Sequence, residues 1–449
     1  MMQALPTDGF CFVKDITGKD DAKIEFEDEV LDYTTDEWEQ KIISVDDNGQ
    51  IGFIFQVSLS YPMSLHDLHN ELPFCAENIK INSDMLSDYQ LELAEEFGQK
   101  TNNKISKLCL TLSDKEDYVC HFRVLKQALQ HGLKLKQKPQ KILQFNQSPF
   151  LKKYITTHQN IRRETDSPLT KAFCKNQNNV VFGKSCENVK DYKDIYLTTN
   201  KDRAQKYVNS PRLKTWKIYP PYLSAFQLEK QHIELNKPRV VGMSILEISK
   251  TFLFSYFYDY ILPKFPDTKV ILTDTDSFCL AIPTEQNFYE VTKNDKHVFD
   301  FSNLPDGHPC FDDSQKMISG LMKDEMGGEL LLEVVALRPK MYSMLTLSNS
   351  KNIKRAKGVL KPIVEKKIAH DDYKHSLFQK EILHHSGLKI SQKEHQLYTT
   401  MIKKRSLCPY NDKMFISKGS NGEFYCYSFG HYLLQNQATN YQTAMEVDD

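Results

Sequence analysis

Residues 51–60 read IGFIFQVSLS, and their apolar alternation predicts a strand ending at Tyr61-Pro62. Residues 84–100 carry Met85, Tyr89, Leu91, Leu93 and Phe97 at helical spacing. Residues 108–112 and 118–122 flank the turn-forming run SDKED and predict a hairpin. A helix to Gln130 follows, with Gly132 as its stop. Asp166-Ser167-Pro168 is a strong helix start, with capping side chains and then proline at the first helical position. Pro220 and Pro221 make residues 216–235 irregular near their start. Residues 243–262 form a long apolar and aromatic helix that feeds VILTDTDSFCLAI at 270–282, which reads as a buried hairpin. Strands follow at 329–337 and 342–347, residues 368–385 are mostly helical, and the polar tail beyond Gln435 is loose.

The chain has 449 residues, enough for two or three packed units, and no internal repeat. Apolar residues make up 40% and charged residues 26%, the balance of a globular protein. No apolar run reaches bilayer length, because Asp259 and Pro263 break the richest, at 252–265. The start lacks a basic flank followed by an apolar stretch, so no secretory signal is read. Ten cysteines without a C-x-x-C pair read as reduced packing thiols. The expectation is an intracellular protein with no membrane partner; Lys403-Lys404-Arg405 is too short to specify the nucleus. His66-x-x-His69 lacks the glutamate of a metalloprotease site, and its histidines read as solvated or hydrogen-bonded.

The net charge is −1, but it is unevenly spread. Residues 1–50 hold 14 acids against 4 bases. Residues 118–163 contain no acid and ten bases, namely Arg123, Lys126, Lys134, Lys136, Lys138, Lys141, Lys152, Lys153, Arg162 and Arg163. A second basic block spans 340–367, with Glu365 its only acid. Such segregation suits a phosphate backbone, and equally a solvated face.

Three short stretches carry candidate chemistry. In Asp274-Thr275-Asp276-Ser277, strand alternation puts both carboxylates on one side, where together they can bind Mg²⁺. Taken alone, the run is also an ordinary polar turn; its apolar flanks favour the metal. In the helix after Pro168, Lys171, Lys175, Asn179 and Phe182 fall at i, i+4, i+8 and i+11, on one face. The lysines, with Arg162 and Arg163 before them, suit a triphosphate, and Asn179 and Phe182 suit a base and sugar, with Gly183 admitting close backbone approach. A surface helix with ordinary lysines reads the same way. Lys340 and Tyr342, two apart on a strand, share a face and suit a nucleic-acid terminus, with Lys354-Arg355-Ala356-Lys357-Gly358 downstream.

In this order, K-x-x-x-N-x-x-F-G, D-T-D-S and K-x-Y resemble the family B DNA polymerases, most closely the protein-primed branch of phages, viruses and virus-like mobile elements. FGKSCENV, YPMSLHDLHNELP and LRPKMYS extend the resemblance, which is strongest over 108–375. It implies an α+β right-hand architecture: a palm with an antiparallel sheet, helical fingers and a thumb. The implied division is partial palm and insertion at 1–160, fingers at 161–190, second insertion at 191–235, palm with the metal-binding hairpin at 236–347, and thumb and tail at 348–449. The implied activity is that of a DNA-directed DNA polymerase, a nucleotidyltransferase using two Mg²⁺ ions, deoxynucleoside triphosphates, a DNA primer–template and, where initiation is protein-primed, a priming protein. Asp276 and Asp274 are then the metal-binding catalytic acids. Lys171, Lys175, Asn179, Phe182 and Gly183 hold the nucleotide. Lys340, Tyr342, Lys357 and Gly358 hold DNA.

Two departures qualify the resemblance. The first palm motif, which supplies a third carboxylate, is expected just before the opening Met1-Met2-Gln3-Ala4-Leu5-Pro6, so the chain reads as N-terminally truncated, without the upstream exonuclease and impaired as it stands. Val180 stands where the family usually has serine. The competing reading is a non-catalytic nucleic-acid-binding remnant of a mobile element. A D-x-D nucleotide-sugar transferase leaves the helix motif and K-x-Y unexplained, and the D-T-D-S form and helix motif favour a DNA-templated enzyme over a reverse transcriptase.

Overall fold

Reciprocal capping opens two of the helices. Thr34 accepts from the Glu37 N–H at 3.3 Å, and the Glu37 carboxylate accepts from the Thr34 N–H at 2.8 Å, starting Thr35–Ser44. Ser87 and Gln90 do the same for Asp88–Glu96. Each pair satisfies two donors that a helix N-terminus otherwise leaves free. Ser167 caps Pro168–Ser185, with proline where no N–H is required. These elements belong to a computed structural model, which describes residues 1–14, 33–101, 104–348, 352–393 and 396–434. The expected loose tail beyond Gln435 lies outside the described residues.

Helices and antiparallel sheets alternate along the chain, an α+β arrangement, in two units. The larger takes Met2–Phe150, Leu246–His385 and Lys404 onward; the smaller takes Leu151–Ile245 and Ser386–Lys403.

The larger unit is built on Ile51–Ser60, the predicted strand with the predicted ends. The sheet order is Leu5–Pro6, Lys141–Ser148, Ile51–Ser60, Lys115–His121, all antiparallel, with Cys11–Val13 and Lys134–Leu135 adding short pairings. Phe53, Phe55, Val57 and Leu59 bury one face of the central strand. Trp38 and Ile42 from Thr35–Ser44 cover it, as do Leu125 and Ala128 from Phe122–Gln130. The Phe, Val, Leu and Ile side chains among these contribute about 1.5–3 kcal/mol each on burial. Phe257, Tyr258 and Ile261 complete this core from a helix spanning Arg239–Lys264.

That helix corrects one expectation. It runs 26 residues and is long and apolar enough, by length and composition alone, to cross a membrane. Asp259 does not break it, because it is absorbed into a π-helical turn, Tyr256–Ile261, and Pro263 falls in the last turn. Its Phe257 and Ile261 are fully buried in the sheet core.

The predicted hairpin across SDKED does not form. Lys107–Cys109 pairs with Glu77–Ile79, while Lys115–His121 pairs with the central strand. Lys115, at the start of the second of these strands, has a fully buried side chain and links the two sheets. Its ammonium donates to Glu77 at 2.7 Å, to the Thr111 carbonyl at 3.0 Å and to the Thr111 hydroxyl. Burial depresses its pKa and the Glu77 bond opposes that shift. Glu77→Ala leaves this ammonium without its counter-charge, and urea unfolding is expected to show a loss of about 2–3 kcal/mol. Pairing it with Lys115→Met should recover part of the loss; no recovery would mean that the charge was not the cause.

The segment after Lys404 returns to the N-terminal part of this unit. The buried Gln90 amide donates to the Asn411 and Met414 carbonyls at 2.8 and 2.9 Å and accepts from the Ile416 N–H at 3.1 Å. Phe415 and Phe429 pack with Ile81, Leu86 and Cys109. Residues 368–385 are helical only over His370–Phe378, and a strand starts at Leu383. Residues 84–100 are likewise helical only over Asp88–Glu96, after a 3-10 turn at Ser83–Met85.

The smaller unit pairs the helices Lys152–Glu164 and Pro168–Ser185. It also holds a three-stranded sheet in the order Leu213–Tyr219, Leu223–Leu228, Asp194–Thr198. Residues 216–235 were expected to be irregular at their start; instead Pro220 and Pro221 occupy the turn of a hairpin, where no ladder N–H is required. Trp216, Phe226 and Tyr196 align across its three strands.

The basic block at 118–163 is neutralised in part by distant acids. Arg123 and Lys126 face Asp47, Lys134 pairs with Glu39 at 3.0 Å, and Lys136 pairs with Asp114 and Glu116. For these four the charge segregation along the sequence is not segregation in space.

Candidate active site

The acidic hairpin consists of Lys269–Thr273 and Phe278–Ala281, antiparallel, with a bulge between Val270 and Leu272. It is not the buried hairpin the pattern predicts. Ile271 is 38% exposed, and Cys279 is its one buried strand residue. Cys279 and Leu272 rest on the three-stranded sheet Leu331–Arg338, Met341–Thr346, Ile353–Ala356, packing with Tyr342, Met344, Val334 and Ala336, while Val270, Phe278 and Leu280 pack against the main core. This contact sets the hairpin tip beside the Pro339-Lys340 turn of the sheet.

The tip does not follow strand alternation either. Thr275 adopts φ 65°, and the Asp276 N–H donates to the Asp274 carbonyl at 2.8 Å, closing a three-residue turn. A β-branched residue rarely takes that conformation. Asp274 is half-buried, while Asp276 is exposed and its carboxylate has no hydrogen-bond or ion-pair partner among the described residues. The positive charge at Asp274 is Lys340, whose ammonium binds Oδ1; the Thr275 hydroxyl donates to the same oxygen at 3.2 Å.

Lys340 is not on a strand. It sits in the turn after Pro339 at φ 62°, a left-handed position where glycine is favoured, so the shared strand face expected of Lys340 and Tyr342 is replaced by a turn and a strand. The Lys357 N–H donates to the Lys340 carbonyl at 3.0 Å. Gly358 follows at φ 85° with open space around it, and its carbonyl accepts from Lys404 at 3.0 Å. Lys404 is a basic neighbour the motif reading missed. Burial raises the Tyr342 phenol above its ordinary pKa; Arg355 and Lys340 oppose the shift, and Asp274 and Glu325 add to it.

Six sequence-predicted residues thus gather in the larger unit: Asp274, Asp276, Lys340, Tyr342, Lys357 and Gly358. The other five belong to the smaller unit and are placed only relative to one another. Lys171, Lys175 and Asn179 lie exposed on one side of Pro168–Ser185 with half-buried Phe182, and Cys174, Asn178 and Ser185 are its buried positions. Gly183 is exposed, and no atom comes within 4 Å of where its side chain would be. A polar cleft of about 410 Å³ in the larger unit, lined by Arg123, Lys126, Gln127, His131, Ser255 and Asp259, contains none of the motif residues.

Among the described residues no three His, Cys, Asp or Glu side chains gather as a metal centre. Asp274 and Asp276 are hard oxygen donors of the kind that could hold a magnesium ion; the Asp276 carboxylate is open, and Asp274 Oδ2 takes no hydrogen bond among the described residues.

No family model and no curated protein matches the sequence. Solved structures of Phi29 DNA polymerase align at low similarity. Its complex with primer-template DNA and incoming nucleotide substrates gives 13% identity and a TM-score of 0.43, covering 80% of this chain and 51% of that one. Its orthorhombic crystal form gives 13% identity and 0.42, covering 80% and 58%. This chain spans about half the length of those polymerases. Similarity this remote does not carry a reaction across.

Proposed function

We propose that this chain carries the palm-type acidic hairpin and fingers-type helix of a DNA-directed DNA polymerase. A primer 3′-oxygen attacks the α-phosphorus of a deoxynucleoside triphosphate, the bond to the bridging oxygen breaks, pyrophosphate leaves, and the 3′-hydroxyl proton passes to solvent. The observation that carries the reading is the Asp274–Lys340 ion pair, which joins two motifs 66 residues apart at one point. Asp276 and Asp274 would hold magnesium, which when bound supplies charge neutralisation at the phosphates and a more acidic 3′-hydroxyl. Lys340 offers an ammonium to the primer backbone, and Tyr342, largely buried, offers a fixed ring edge. Lys171 and Lys175 offer point charges to the triphosphate, with Asn179 and Phe182 beside the base. Primer extension on a primed template with Mg²⁺ tests the reading, and incorporation insensitive to Asp276→Ala would refute it.

A second reading is favoured by the missing third acid among the described residues: duplex binding without catalysis. Lys357, Lys366 and Lys367 are exposed and serve either function. A salt-dependent gel shift unchanged by Asp274→Ala and Asp276→Ala, with no incorporation by the unaltered chain, would establish it.

Lys340→Gly separates fold from binding. Glycine relieves the left-handed strain, while the half-exposed ion pair it removes contributes at most about 1 kcal/mol. Stability is expected to stay within about 1 kcal/mol, while the slope of log affinity against log salt for primer–template shrinks by about 0.9, one phosphate contact. An unchanged slope would remove Lys340 from the DNA contact.

A further inference from the structure

Resting on that reading, we propose that Lys340 is a positioning residue that couples cation binding at Asp274 to the arrival of the primer. Its ammonium holds the Asp274 carboxylate until a primer phosphate draws it away, and only then does Asp274 accept a cation at full strength.

The geometry carries the inference. The pair joins two turns whose apices, Thr275 and Lys340, are both non-glycine residues in left-handed conformation, at φ 65° and 62°. Local folding preference alone would place glycine at the second; lysine keeps the strained position and supplies the charge. The Lys340 carbonyl is fixed by the Lys357 N–H at 3.0 Å, so its backbone stays in place. Its side chain is 50% exposed on a flexible stem, free to swing from a carboxylate to a phosphate. The ion pair is solvent-screened and therefore weak enough to exchange. An ammonium beside Asp274 repels a divalent cation that approaches the same carboxylate. Whatever removes the ammonium raises the affinity for the cation, and by reciprocity the cation raises the affinity for the primer.

The test measures Mn²⁺ binding to the full 449-residue chain by electron paramagnetic resonance of the free ion, with and without a short primer–template whose own binding is subtracted. For the unaltered chain, DNA is expected to tighten Mn²⁺ binding about fivefold, the equivalent of the ion pair that it releases. Lys340→Gln carries the same left-handed backbone burden without the charge. It should bind Mn²⁺ without DNA as tightly as the unaltered chain does with it, and gain nothing more from DNA. Lys340→Arg should restore the weak DNA-free affinity and the gain on adding DNA, which a purely structural role of the side chain would not require. Unchanged Mn²⁺ affinity in Lys340→Gln, or a DNA-dependent gain as large as in the unaltered chain, overturns the coupling alone. If Asp274→Ala leaves Mn²⁺ binding unchanged with DNA present, no cation site exists at the hairpin, and the coupling falls together with the polymerase reading.

Discussion

Alanine at Asp276 is expected to lower Mg²⁺-dependent nucleotide incorporation by about two to three orders of magnitude, the usual cost of losing a charged group that acts on the transferring phosphoryl. Thermal stability should not change. The Asp276 side chain is exposed, and its carboxylate makes no hydrogen bond or ion pair among the described residues. Only its N–H is engaged, donating to the Asp274 carbonyl at 2.8 Å, and alanine keeps that bond. Surface changes of this kind move stability by about 0.5 kcal/mol or less. Asp274→Ala is a less clean experiment, because it also releases Lys340 and the Thr275 hydroxyl. Single-nucleotide incorporation under single-turnover conditions, beside a thermal melt, checks both halves. A variant that loses activity only because it melts early would place Asp276 in the fold rather than in the chemistry.

The parts of this arrangement that depend on neighbours in sequence were legible in it. The strand Ile51–Ser60 and the helix start at Ser167-Pro168 are read from alternation and capping, which act over a few residues. The acidic hairpin was legible as a hairpin but not in its exposure, because apolar flanks do not say how much of each face a partner sheet covers. What long-range partners decide was not legible. The strand at 115–121 follows the central sheet rather than its sequence neighbour, pairing with Ile51–Ser60 far away in the chain. The basic block at 118–163 is offset by Glu39 and Asp47, which no local count can foresee. At the candidate site, each motif was visible alone, but the Asp274–Lys340 pair spans 66 residues. Pro339 marked a turn there, and a lysine after it in left-handed conformation ran against the expected strand.

Acid is expected to destabilise the larger unit well above the pH at which carboxylates titrate. The cause is a set of buried histidines beside the returning C-terminal segment. His66, His69 and His431 have almost no exposure; the Nε2 of His66 and of His69 lacks a hydrogen-bond partner, and that of His431 lies 3.4 Å from the Asp67 carboxylate. His69 is the most constrained. Its Nδ1 is hydrogen-bonded to the Tyr61 hydroxyl at 2.8 Å, and the Phe74 N–H donates to the same oxygen at 3.3 Å. A second proton places a charge among Phe74 and Tyr258, whose rings lie 5.1 Å away. Burial first, then His131 and His66, lower the His69 pKa from 6.5 to about 4. Burial and then Arg123 lower that of His121 to about 3. Burial also lowers His66 and His431, with Asp67 opposing in both. The unfolded chain therefore binds more protons than the folded one below pH 6.5, and stability falls with pH across that range. The stabilisation is complete above about 6.5 and is lost progressively toward pH 4, about 3 kcal/mol from His69 alone. Urea midpoints measured from pH 7.5 to 4.5 should fall steadily. His69→Gln, which retains a hydrogen-bonding group for Tyr61 without a titratable ring, should flatten the decline. An equally steep decline in that variant would assign the acid sensitivity to the other histidines.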